Sequence, residues 1–236
     1  MYRGTNMDRS RRGVKTAARA SPAICRIPRG LAYVLGMAGF FDRLRGIVAQ
    51  HVPTPVTEHH VVRGFPVVLE NTRPDIESVA VVARLDEALG LIERYQPWRL
   101  AHMRRDLARF WIVRYPCRGA FFPDTQTCMT ELTFLARTDI TAAPVAASIL
   151  HEGMHARVHG MGVHPASRDP AREERLCRVA ELNFGHALPP ELGAPVIERA
   201  EASLELSDQD VAPTIDWTEA QRRQDAIDEA ARQRRS

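Results

Sequence analysis

The chain has 236 residues, enough for one domain with a buried core, and its 44% hydrophobic and 26% charged residues are ordinary for a soluble globular protein. The net charge of +3 is too small to indicate a nucleic-acid partner. The four cysteines form no CxxC pair, which excludes a disulfide framework or a cysteine zinc knuckle and fits reduced thiols in a cytoplasmic protein.

The first part of the chain carries no fold signal. Residues 1–36 are basic, poor in acidic residues and without apolar periodicity, so we predict a disordered tail, which is not native if translation starts at Met37. The apolar run Leu31–Phe41 is too short to cross a bilayer, so we expect no stable membrane span. Ser10-Arg11-Arg12 before this run is typical of a twin-arginine export signal, although no small-residue cleavage site follows. Export is therefore the alternative to a cytoplasmic location.

Regular patterns begin at Val61 and predict an α+β fold that is mainly helical. In chain order they predict a strand over Val61–Leu69, a helix over Asp75–Tyr95, further helical turns over Trp98–Leu107, and strands over Phe110–Val113, Gly119–Phe122 and Thr127–Arg137. Helices follow from Thr141 to about His159, from Arg172 to about Leu188, over Leu192–Leu204, and from the capping box at Asp216. We therefore divide the chain into the tail 1–36, a main domain 37–205 and a polar C-terminal helix or tail 206–236.

Two histidines lie four residues apart in the segment His151-Glu152-Gly153-Met154-His155. On a helix they project from one face, one turn apart, so that both imidazoles can bind one zinc ion. Glu152 lies at the edge of that face, where a carboxylate can act as a general base toward metal-bound water. The uncharged flanks indicate a helix inside the core, where these side chains need a partner such as a metal. A solvent-facing helix side is the alternative interpretation.

A catalytic zinc site needs a third protein ligand. His159 is the next histidine on the same helix, but it lies about 12 Å from His151 along the axis, too far to share one ion. The following helix brings Glu173, Glu174 and Glu181, and the connection is long enough for the two helices to pack together. The residue types alone leave the choice among these three carboxylates open.

These motifs resemble the zincin superfamily, in particular its gluzincin branch, in which HExxH is followed by a glutamate ligand on a later helix. The resemblance covers the order of elements over roughly residues 61–188, although only the HExxH segment is specific. It implies that His151, His155 and Glu174 bind Zn²⁺, with Cys177 as the small residue that packs against the metal helix. Arg178 stands where the branch usually has an acid that orients a histidine. Glu173 and Glu181 therefore stay as alternative ligands.

The resemblance implies a zinc-dependent metallopeptidase that hydrolyses a peptide or protein substrate by a metal-activated water, with Glu152 as general base. It also implies a zincin-like fold with a small, mostly antiparallel sheet, in which the strand Thr127–Arg137 borders the cleft and pairs with the substrate. One alternative is a non-catalytic zincin-like module with a binding or regulatory role. Another is a metal-dependent amide hydrolase for small molecules. The sequence indicates no oligomeric state.

Two further residues are candidates for the site. Cys128 is an alternative third ligand, because a cysteine upstream of HExxH occurs in the peptide deformylases, although we expect it in the core. His186 is a candidate to stabilise an oxyanion, since it lies on the helix of the third ligand and no tyrosine follows the motif.

Overall fold

The computed structural model describes residues 56–162, 168–213 and 216–233. Within them the chain has an α+β fold in which helices predominate. The predictions for the tail 1–36, and for the main domain up to residue 55, fall outside the described residues. None of the helices in the described part of the chain is long and apolar enough to cross a membrane.

Five strands form one mixed sheet: β1 (Val56–Val62), β2 (Phe65–Asn71), β3 (Arg109–Val113), β4 (Gly119–Phe122) and β5 (Thr127–Glu131). Their order is β1-β2-β3-β5-β4. The outer pairs β1–β2 and β5–β4 are antiparallel, whereas β2–β3 and β3–β5 are parallel. The sheet is therefore mixed, with two antiparallel and two parallel pairings, because the helices between β2 and β3 return the chain to the same end of the sheet.

The predicted single strand over Val61–Leu69 comprises the end of β1, a two-residue turn and most of β2. Val62 pairs with Phe65 across the turn formed by Arg63 and Gly64. Both turn residues have positive φ, 47° and 84°. That conformation matches the right-handed twist of the flanking strands in a two-residue turn. Gly64 therefore reverses the chain rather than merely interrupting a strand.

The predicted strand Thr127–Arg137 is also corrected. β5 ends at Glu131, whose carboxylate accepts a hydrogen bond from the backbone N–H of Phe134 at 2.8 Å and so begins a short helix α3 (Leu132–Leu135). All five residues of β5 are buried, and the strand lies between β3 and β4. The edge strands of the described sheet are β1 and β4, so Thr127–Arg137 has no open edge with which to pair a substrate as predicted.

The remaining helices are α1 (Ser78–Tyr95), α2 (Pro97–Asp106), α4 (Ala142–Gly160), α5 (Pro170–Ala187), α6 (Pro190–Leu204), α7 (Asp208–Val211) and α8 (Trp217–Gln233). Helix α4 packs against α1, α2, α5 and β4, and α5 also packs against α6. The main core lies between these helices and the sheet face that carries Phe110 and Ile112. A smaller cluster on the other face includes Met129 and Phe122, and Trp217 of α8 packs against it.

Sequence signals account for where the two central helices begin. The side chain of Thr141 accepts a hydrogen bond from the N–H of Ala143 at 3.4 Å and caps α4. Asp169 accepts from the first N–H groups of α5, and Pro170 occupies the first helical position, where its missing N–H costs nothing. These caps fix the residues at which α4 and α5 begin.

Candidate metal centre

A cluster of buried polar side chains lies between α4 and α5. Helix α4 contributes His151, Glu152 and His155, which are 0%, 1% and 7% exposed. Helix α5 contributes four buried side chains, Glu173, Glu174, Cys177 and Glu181. The helix pair therefore brings the HExxH segment together with every carboxylate that the sequence left open as a third ligand.

The outer nitrogens of both imidazoles are bound to carboxylates. Nδ1 of His151 donates to Oε1 of Glu181 at 2.7 Å, and Nδ1 of His155 donates to Oε1 of Glu173 at 2.9 Å. A carboxylate accepts only, so each contact places a proton on Nδ1 and leaves the lone pair of the neutral imidazole on Nε2. This is how carboxylates orient histidines that bind metals.

The inner nitrogens converge on Glu174. The Nε2 atoms of His151 and His155 lie 3.2 Å apart. Oε2 of Glu174 lies 3.1 Å from Nε2 of His151, and Oε1 lies 3.3 Å from Nε2 of His155. Zinc bonds of about 2.0–2.1 Å in a tetrahedral arrangement separate neighbouring ligand atoms by roughly 3.3 Å. The three side chains are thus spaced as ligands of one zinc ion.

Unsatisfied buried oxygens give an independent test of that fit. Among the described residues, Oε2 of Glu174 and both carboxylate oxygens of Glu152 are buried without a hydrogen-bond partner. Oε2 of Glu174 stays unsatisfied even though it lies 3.1 Å from an imidazole nitrogen. Buried charges are costly unless they are paired or coordinate a metal. A divalent cation bound by Glu174 would remove that cost for this carboxylate.

The groups around the imidazoles of His151 and His155 favour positive charge between them. Burial alone would lower the pKa of His151, but Cys177, Glu174 and Glu181 together raise it to about 9. Burial likewise opposes ionisation of Glu174, yet the adjacent imidazoles of His151 and His155 hold the pKa of its carboxyl well below the usual range. The same carboxylates would favour a metal ion, which must displace protons to bind there.

Glu152 lies apart from the carboxylates that contact the imidazoles. Burial raises the pKa of its carboxyl above the ordinary value. It is pressed against the start of β4, since a Cβ added at Gly119 would lie 2.9 Å from its Oε1. Burial and the charge of Glu152 also raise the pKa of the Cys128 thiol. Glu152 is thus a desolvated carboxyl group with both oxygens available for a proton.

Cys177 is a site residue to which the sequence assigned only a packing role. Ligand atoms of His151, His155 and Cys177 all lie within 4.8 Å of one another. Cys177 follows Glu174 by three residues, so both side chains lie on the same face of α5. That spacing could have identified Cys177 as a second candidate, and either residue can supply a third ligand.

The other two carboxylates predicted as possible third ligands lie on the outer side of the imidazoles. Glu173 and Glu181 contact the Nδ1 atoms rather than the shared inner space. Arg178, which stands where an acid was expected, donates to Glu181 at 2.8 Å. The orienting acid for His151 is therefore Glu181, almost one turn further along α5.

The remaining histidine and cysteine candidates do not join the inner cluster. His159 lies in the last turn of α4, with its ring 5.8 Å from that of Phe121. His186 is exposed near the end of α5. Cys128 is buried in β5 and lies outside the group of converging ligand atoms found among the described residues.

Comparisons with known proteins gave no relative. No protein-family model matches the chain, and neither a curated protein nor a solved structure gives a significant match. Function must therefore be inferred from the buried cluster itself.

Proposed function

We propose that the protein is a zinc-dependent metallopeptidase of the gluzincin type with a zincin-like fold, in which His151, His155 and Glu174 hold Zn²⁺. The observation that carries this proposal is the convergence of two Nε2 atoms and one carboxylate at 3.1–3.3 Å, with both Nδ1 atoms fixed by other carboxylates. Three electron-pair donors this close need protons or a cation among them, and a zinc ion would take the place of the protons.

Glu174 is a better third ligand than Cys177. Its two oxygens lie 3.1 and 3.3 Å from the two Nε2 atoms, so the carboxylate faces both imidazoles. Its Oε2 has no hydrogen-bond partner among the described residues, so no other interaction competes for it. Cys177 then packs beside His155, as the small residue three positions after the ligand does in gluzincins.

A zinc ion bound there would lower the pKa of a coordinated water and polarise the substrate carbonyl. Glu152 supplies the proton transfer. Its raised pKa and its two unsatisfied oxygens suit a group that takes a proton from the water. Glu152 then donates this proton to the leaving amine as the C–N bond breaks.

The edge strand β4 is the element that suits an extended substrate. Within the described part of the chain, β4 has a neighbouring strand on one side only. Gly119, its first residue, lies against Glu152. A peptide that adds to this edge would run past the general base, because strand addition uses the unpaired backbone N–H and C=O groups. The role predicted for Thr127–Arg137 is therefore assigned to Gly119–Phe122.

The proposal is tested by comparing Glu152→Gln with Glu87→Gln, which changes an exposed glutamate on α1. Loss of the general base should lower the rate of cleavage of unfolded casein by about 10²–10⁴-fold. Zinc content, measured by atomic absorption, should equal that of the unmodified protein, because Glu152 is not a ligand. The Glu87 variant should keep full activity. Undiminished hydrolysis by Glu152→Gln would sink the mechanism.

A non-catalytic zinc module is the second candidate, and the closure of the site favours it. Glu152 and Glu174 are only 1% and 2% exposed, so a substrate reaches them only after nearby groups move. Zinc-loaded protein that cleaves neither casein nor short peptides, with or without a chelator, would support this candidate. Activity confined to small acylated amides would instead support an amide hydrolase.

A further inference from the structure

Three arginines on separate segments belong to one group of charges beside the metal centre, because the charges of Arg178, Arg199 and Glu181 all act on Arg118. Arg118 directly precedes β4, whereas Arg178 and Arg199 belong to α5 and α6. Arg178 donates to Oε1 of Glu181 at 2.8 Å, and Nη1 of Arg199 lies 3.7 Å from Oε2 of the same carboxylate. One glutamate thus has two guanidinium groups in contact with it.

The hydrogen bonds of this cluster are incomplete. Nε of Arg178 and Nη2 of Arg199 are buried and have no partner within the described residues. Arg178 is only 5% exposed, so water does not replace the missing acceptor at its Nε. A purely structural arginine cluster would be expected to satisfy such donors, because leaving one unmade costs about 1–3 kcal/mol. The open donors therefore indicate a missing acceptor.

Arg118 carries the least compensated charge of the three. Its guanidinium lies over the ring of Phe134 at 5.0 Å, and no carboxylate of the described residues is within ion-pair distance. Burial, and then the positive charges of Arg199 and Arg137, lower its pKa to about 10. A negatively charged group at this position would relieve both effects.

The cluster adjoins the general base. Gly119, next to Arg118, lies against Glu152, because a Cβ atom added at Gly119 would be 2.9 Å from Oε1 of Glu152. Burial lowers the pKa of Arg199, and the charges of Glu181 and Glu152 partly oppose this effect. Arg118 and Arg199 are also less buried than Glu152. A ligand that enters toward Glu152 would meet these two guanidinium groups.

We propose that Arg118 and Arg199 form a carboxylate-binding subsite beside Glu152, which selects substrates with a negatively charged group next to the scissile bond. This inference rests on the proposed peptidase function. A carboxylate fits because its two oxygens match the paired N–H groups of a guanidinium. Arg178 is a positioning residue, since it is already bound to Glu181. The carboxylate can come from a peptide C-terminus or from an acidic side chain.

Binding of three uncleaved probes tests the subsite. Full-length, zinc-loaded protein with Glu152→Gln is titrated calorimetrically with N-acetyl-Ala-Ala-Ala, with its C-terminal amide, and with N-acetyl-Ala-Glu-Ala-amide. At least one carboxylate probe should bind about 10–100-fold more tightly than the uncharged amide, as expected for charge-assisted hydrogen bonds. Preference for the first or the third probe identifies the C-terminus or the side chain as the source.

Added substitutions locate the effect. Arg118→Gln and Arg199→Gln should each abolish the preference, whereas Arg172→Gln, which changes an exposed arginine on α5, should retain it. Arg199→Lys keeps the charge and is used if Arg199→Gln loses its zinc; it should weaken the preference because lysine lacks the paired donors. Equal binding of all three probes, or a preference that survives both glutamine variants, would overturn the subsite. Zinc content and casein cleavage by the unmodified protein report separately on the proposed function.

Discussion

The structure contains two networks of charged side chains with little exposure to solvent. One is the candidate metal centre between α4 and α5. The other joins the C-terminal helix to the sheet: Arg114 bonds Glu131 at 2.7 Å and Asp228 at 3.1 Å, and Asp228 also bonds Arg73 at 3.0 Å. Both networks contain acidic side chains that are less than a seventh exposed. They differ in how completely their polar atoms are paired.

In the second network each acid has a guanidinium partner, and Glu131 also caps α3 through the N–H of Phe134. A network whose charges are all paired stabilises one arrangement of helix and sheet without a bound ion or ligand. In the metal centre, by contrast, Glu174 and Glu152 retain buried oxygens without hydrogen bonds among the described residues. Buried charge alone therefore does not identify a functional site. Buried charge that lacks a hydrogen-bond partner marks a candidate site, because such a group costs free energy in the folded state.

The sharpest way to test this contrast is to remove the inner carboxylate. Glu174→Gln keeps the shape of the side chain but replaces a charged ligand by a neutral amide. We expect zinc affinity, measured by competition with a chelator, to fall by more than the roughly 10–100-fold typical of residues that only support ligands. Retention of unchanged zinc affinity would contradict the assignment of Glu174.

Cys177→Ala is the matched control, because Cys177 is the competing ligand on the same face of α5. If Glu174 holds the metal, the alanine variant should bind zinc nearly as well as the unmodified protein. It should lose a little stability, since a buried thiol is replaced by a methyl group. The reverse pattern of affinities would move the third ligand to Cys177.

A smaller effect on zinc affinity is expected for Glu181, which contacts Nδ1 of His151 rather than the proposed metal position. Glu181→Gln removes the charge that fixes Nδ1 of His151 and leaves Arg178 and Arg199 facing a neutral amide. Zinc affinity should fall by about 10–100-fold, the usual cost of losing an orienting carboxylate. Urea unfolding of the metal-free protein should also show a lower free energy of unfolding, by roughly 3–5 kcal/mol, because buried arginines lose their counter-charge. Unchanged zinc affinity would make Glu181 purely structural.

The two networks also differ in how far the sequence predicts them. The HExxH spacing and the caps at Thr141 and Asp169 are local signals, so the helices and the pairing of His151 with His155 follow from the sequence. Glu174 was singled out by resemblance, and the structure places it against both histidines. Its distinction from Glu173 and Glu181 depends on how α5 is rotated against α4, which no local pattern specifies.

Long-range pairing explains the errors in the sheet. Thr127–Arg137 alternates as a strand with two differently used faces should, but β5 is covered on both faces because Trp217 of α8 packs on the second one. Likewise, Arg114 and its partner Asp228 on α8 are 114 residues apart in the sequence. No local sequence pattern predicts an ion pair over that separation. The C-terminal segment was predicted only as a polar helix or tail, and its contacts with the sheet are tertiary.

Asp228→Asn should have the smallest effect and should leave the metal centre untouched. The carboxylate bridges Arg73 and Arg114, but Arg73 keeps Asp75 at 2.7 Å and Arg114 keeps Glu131 at 2.7 Å. Because neither arginine is left without a counter-charge, the free energy of unfolding should fall by only about 1 kcal/mol. Zinc affinity and casein cleavage should match those of the unmodified protein. A loss of zinc in this variant would mean that the fully paired network and the metal centre are coupled through the sheet, and that α8 supports the site rather than only the fold.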